Sequence, residues 1–92
     1  MSQLLPVSGV RIHGLTDGSS FMAHDTTAIQ AQLQIEAIGG QPDWYWFLNG
    51  ELLDERSSRL TMAMPEPGTY QLSVTDQGGQ SDQVSFTVEV QL

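Results

Sequence analysis

Between residues 28 and 37 the chain alternates almost without exception. Ile29, Ala31, Leu33, Ile35 and Ala37 fall on one side, and the residues between them are mostly Gln and Glu. A period of two places every apolar side chain on one face only if the backbone is an extended strand with a single buried side. A helix would scatter the same residues around its whole circumference. One half-buried strand commits the chain to finding further strands, because an isolated strand leaves its apolar face and its backbone polar groups uncovered.

The rest of the sequence supplies them. Residues 44–53 read as a hairpin, because Asn49-Gly50 tolerates the positive φ angles of a two-residue type I′ turn. That turn pairs Leu48 with Glu51, Phe47 with Leu52 and Trp46 with Leu53. A shorter strand from Arg59 to Met64 ends at Pro65-Glu66-Pro67-Gly68. Residues 69–76 put Tyr70, Leu72 and Val74 on one side, Gln77-Gly78-Gly79-Gln80 turns the chain, and Val84, Phe86, Val88 and Val90 point inward from residues 83–90. An opening strand, roughly Val7 to His13, brings the total to about seven, with breaks at Gly14, Asp17-Gly18 and Gly39-Gly40. Short strands, frequent turns and no helical period predict an all-β sandwich of about seven antiparallel strands.

Particular residues narrow this to an immunoglobulin-like sandwich. Such domains set a tryptophan of the third strand against inward residues of the second and sixth, with a tyrosine two residues before the latter. Trp46, Ile35 or Leu33, Leu72 and Tyr70 fit those places, so Pro67-Gly68-Thr69-Tyr70 reads as a tyrosine corner. The chain has no cysteine, so packing must replace the usual crosslink. Residues 1–92 are expected to form one domain, with 1–6 a flexible lead-in.

Composition excludes several functions. Eleven acids face three arginines, with no lysine, for a net charge of −8. This charge repels phosphate backbones and anionic lipid, so neither nucleic acid nor direct membrane insertion is expected. Schiff-base, P-loop and Ser-x-x-Lys chemistry need a lysine, and thiolate chemistry needs a cysteine. His24-Asp25 sits beside several hydroxyls with His13 elsewhere, but no Gly-x-Ser-x-Gly elbow accompanies them. No catalytic residue, cofactor or metal site is expected. Asp17, Asp25, Asp43, Asp76 and Asp82 fall in or next to predicted loops, as calcium ligands do. Each sits alone in its own turn, where an aspartate ordinarily caps backbone N–H groups.

The run Asp43-Trp44-Tyr45-Trp46-Phe47 is the most informative for function. Alternation sends Trp44, Trp46 and Leu48 to one face and Tyr45 and Phe47 to the other. Both sets cannot share one core. Tyr45, Phe47 and Leu52 therefore form either a partner-binding patch or a set of cross-strand packing pairs.

Two longer stretches, Tyr45-Trp46-Phe47-Leu48-Asn49-Gly50-Glu51-Leu52-Leu53 and Pro67-Gly68-Thr69-Tyr70-Gln71-Leu72-Ser73-Val74-Thr75-Asp76, are followed by Gly79 and Phe86-Thr87-Val88. Together they resemble the immunoglobulin-like C-terminal domain of bacterial penicillin-binding proteins of the 1C type, over roughly residues 28–90. Gly14-Leu15 departs from the Pro-Asp-Gly type of turn usual there, so the resemblance does not fix the first strand's register. It implies an accessory module of a peptidoglycan synthase whose glycosyltransferase and transpeptidase domains lie elsewhere. The implied setting is the periplasm, within an inner-membrane-anchored protein. The implied partners are a periplasmic protein or peptidoglycan itself, and the module alone is expected to be a monomer. Three roles remain open on this reading: protein interaction, carbohydrate binding, and structural spacing in a surface protein.

Overall fold

A computed structural model describes residues 9–23 and 32–90. The expected flexible segment 1–6, the pair His24-Asp25 and the strand positions Ile29 and Ala31 lie outside the described residues, as does the side chain of Val90.

Among the described residues there are eight strands and no helix, hence none long and apolar enough to cross a membrane. The strands are β1 (Arg11–His13), β2 (Ser19–Ala23), β3 (Gln32–Ile38), β4 (Trp44–Leu48), β5 (Glu51–Leu52), β6 (Arg59–Ala63), β7 (Gly68–Asp76) and β8 (Ser81–Val90). They form two sheets, β1-β3-β6 and β2-β8-β7-β4-β5. All pairings are antiparallel except β2 with β8, which is parallel, with Ser19 opposite Phe86 and Met22 opposite Glu89. This pair corrects the expectation of an entirely antiparallel sandwich. The segment Ser19-Ser20-Phe21-Met22-Ala23 is short and opens with two serines, so its own pattern does not declare a strand. Its distant partner β8 makes it one.

The core between the sheets follows the alternation. Leu33, Ile35 and Ala37 of β3 face Leu72 and Val74 of β7 and Val84, Phe86 and Val88 of β8, all buried. Trp46 lies at their centre with no exposed surface, and its indole Nε1 donates to the Ser57 carbonyl at 2.9 Å. A buried indole N–H without an acceptor costs about 1–3 kcal/mol, so this bond lets the tryptophan occupy the core. Val10 and Leu15, which flank β1, are buried too. Met64, just past β6, packs against the same cluster.

The tyrosine corner is present. The Tyr70 hydroxyl donates to the Glu66 carbonyl, and its ring stacks on Phe86 with centroids 5.3 Å apart. Phe21 meets the same Phe86 edge-on at 6.0 Å. One ring of β8 thus ties β7 to β2.

Candidate recognition face

The outer surface of the five-stranded sheet is laid out by register. Paired residues on adjacent strands point to the same side, so each pairing extends a row. Phe47 lies between Leu52 and Ser73, and Ser73 is opposite Gln83. Tyr45 is opposite Thr75, which is opposite Ser81. Gln71 pairs with Ser85, and Thr69 with Thr87 and through it with Ser20. The alternate residues on these strands, Trp46, Leu72, Val74, Val84, Phe86 and Val88, all fill the core. Tyr45, Phe47 and Leu52 therefore gather at one side of this outer face, away from the core. Tyr45 and Phe47 are half-buried, whereas Leu52 is 47% exposed.

The hairpin that carries this cluster is pinned in three places. Asn49 adopts φ 52° and Gly50 φ 83°, the left-handed pair that a type I′ turn requires. The Asn49 N–H donates to the Gln71 carbonyl at 2.8 Å, and the Gln71 N–H donates to Asn49 Oδ1 at 2.9 Å. The turn is thereby bracketed onto β7. Beyond β5 the chain folds back along β4, with Leu53 N–H donating to the Trp46 carbonyl and Trp44 N–H to the Arg56 carbonyl.

That return loop brings up a residue the sequence argument passed over. The Arg56 guanidinium lies 5.2 Å from the centroid of the Tyr45 ring, within cation–π range. Its Nη1 donates to the carbonyls of Leu53 and Glu55, at 2.9 and 3.1 Å, which fixes its pose. The neighbouring Glu55 carboxylate accepts from the Ser57 hydroxyl at 2.8 Å and the Ser57 N–H at 3.1 Å. The hydroxyl bond, then the N–H bond, hold its pKa below the ordinary 4.5. Arg56 is one of only three cations in the chain and stands a few residues past the hairpin. That scarcity was the available signal.

The aspartates among the described residues do not converge. Asp17 accepts from Ser85 N–H at 2.7 Å and Asp82 from Ile12 N–H at 2.9 Å, while Asp76 accepts from Gln80 N–H at 2.8 Å and Gln41 N–H at 2.9 Å. Among the described residues no three His, Cys, Asp or Glu side chains gather as a metal would need. His13 sits exposed on β1 opposite Glu36, on the other sheet. A hollow on that sheet is lined by Gln34, Ile35, Glu36, Arg59, Leu60 and Thr61, and is crossed by the loose, exposed Arg59–Glu36 ion pair at 3.9 Å.

Comparison with known proteins adds two findings. Residues 5–86 match the model of the Penicillin-Binding Protein C-terminus Family. The chain is also 35% identical, over 80 residues, to penicillin-binding protein 1C of Escherichia coli (strain K12). The match covers 87% of this chain but only 10% of that protein.

Proposed function

The chain belongs to the penicillin-binding protein C-terminus family, and from that membership we propose that it is a non-catalytic accessory domain of a bacterial peptidoglycan synthase. It mediates interaction or positioning during cell-wall synthesis, on the periplasmic side of the inner membrane that anchors its parent. The observation that carries this reading is the placement of Tyr45, Phe47 and Leu52 outside the core, on a face held rigid by the bracketed hairpin. Large side chains left out of a core and fixed in place are what a recognition surface uses, because little side-chain entropy remains to be lost on binding.

The test is made in the parent protein. Phe47→Ala with Leu52→Ala is expected to leave its labelling by a fluorescent penicillin unchanged, while its position in the envelope, followed by a fluorescent tag, becomes diffuse. Loss of penicillin labelling would mean that the domain is part of the catalytic unit. Unchanged labelling with unchanged position would remove the patch from any recognition role.

A further inference from the structure

The outer face of the large sheet carries no charged side chain in its four rows, although the chain as a whole has a net charge of −8. Beside Tyr45, Phe47 and Leu52 the rows hold only hydroxyls and amides: Ser73, Thr75, Ser81 and Ser85, Thr69 and Thr87, Gln71 and Gln83. Charge begins at the borders, with Arg56 over Tyr45, the Asp17 carboxylate on the Ser85 N–H and Glu89 beyond Thr87. Two of the three arginines, Arg11 and Arg59, lie instead on the smaller sheet. Among the described residues the hydroxyl and amide side chains found in hydrogen bonds are those of Ser19, Ser57, Tyr70, Asn49 and Gln80, and none of the serine, threonine and glutamine side chains of these rows is among them. Their donors and acceptors face outward.

Resting on the recognition role proposed above, the geometry points to a neutral glycan strand as the ligand of this face. A sugar ring offers apolar C–H surface to aromatic and aliphatic side chains, and hydroxyl and amide groups to donors and acceptors of the same kind. A ligand without charge can meet a charged group that it covers only with neutral hydrogen bonds, so the charge loses its water without gaining a counter-charge. A face cleared of charge avoids that cost. A protein partner fits less well, because protein interfaces are depleted in serine and their dominant contacts are seldom Ser or Thr. The rows run from Thr69 to Thr75 along β7, about 20 Å at roughly 3.4 Å per residue, which gives length for several linked rings.

The 92-residue chain, which has its own core, is titrated with chitotetraose, a neutral oligosaccharide, and followed by amide chemical shifts. Millimolar sugar is expected to move the amides of Phe47, Gln71, Ser73, Thr75 and Gln83. Gln83→Glu, at an exposed position, is expected to weaken binding about tenfold or more, the equivalent of about 1.4 kcal/mol. Ser73→Glu should do the same, and Thr61→Glu on the other sheet should not. Shifts confined to the smaller sheet, or equal affinity for Gln83→Glu, would overturn the assignment. So would a silent spectrum. If the sugar is silent but Phe47→Ala with Leu52→Ala still disperses the parent in the envelope, the recognition role stands and its ligand is a protein.

Discussion

Asp76 is the one polar or charged residue buried among the described residues, and its carboxylate is engaged within the fold. Its two carboxylate oxygens accept from Gln80 and Gln41, joining the β7–β8 turn to the loop between β3 and β4. The Gln80 bond is the largest cause that holds its pKa below the ordinary 3.8, and burial acts the other way. The folded pKa is depressed, so the stability from this group is fully present above the unfolded value. It is lost as pH falls through the folded one. Urea midpoints measured from neutral pH down through about pH 2 should therefore drop in the wild type. Asp76→Asn should start lower at neutral pH and lose the part of that slope due to this carboxylate. In the sequence its place beside Gln77-Gly78-Gly79 marks Asp76 as a turn residue, and the fold sets it inward, in step with Leu72 and Val74. Its first partner was legible in that turn. Gln41 was not, because a bond between distant loops leaves no mark on either sequence. Tyr70 was fully legible from Pro-Gly-x-Tyr, and Tyr70→Phe should cost about 1 kcal/mol in a denaturant midpoint, with the slope unchanged.

At the scale of elements, the hairpin was readable in its register, because Asn-Gly and the alternation around it leave one choice. Leu48 pairs with Glu51 and Phe47 with Leu52, while β5 ends before the expected third pair, leaving Leu53 a single bond to the Trp46 carbonyl. Gly50 allows that reading to be tested cleanly. A Cβ added there would meet no atom within 4 Å, so any cost of Gly50→Ala comes from its φ of 83° alone. The substitution should destabilise by about 1–2 kcal/mol in urea unfolding. At Gly39 the same change would also drive a Cβ to 2.1 Å from the Gly9 carbonyl oxygen, and should be far worse. β2 escaped the sequence reading for the opposite reason. Nothing within Ser19–Ala23 specifies pairing; the edge of β8 and the Phe21–Phe86 contact do. Arg56 is a similar case, since its place over Tyr45 depends on how the loop after β5 folds back.

The molecule as a whole carries eleven acids, and its described residues gain little from ion pairs. Among the described residues the Arg59–Glu36 contact is the one salt bridge, at 3.9 Å between exposed side chains, and such pairs contribute about 0–1 kcal/mol. Self-repulsion of the excess acids opposes the compact state, and salt screens it. The thermal midpoint should therefore rise between about 0.01 M and about 0.15 M ionic strength, where the Debye length shrinks from roughly 30 to 8 Å. A fall would mean that specific attractions outweigh the repulsion.

The parallel pairing of β2 with β8 also determines how the domain bears load. β2, which follows β1, and β8, the last strand, run side by side in the same direction. Once β1 has peeled from β3, traction on the two sides of the chain slides β2 along β8, so the hydrogen bonds between them are strained together in shear. An antiparallel hairpin pulled at its open end parts one bond at a time, like a zipper. Stretched in an optical trap or under a force microscope tip, the domain should hold to a single high-force rupture. Phe21→Pro, in the middle of β2, should bring that rupture to markedly lower force.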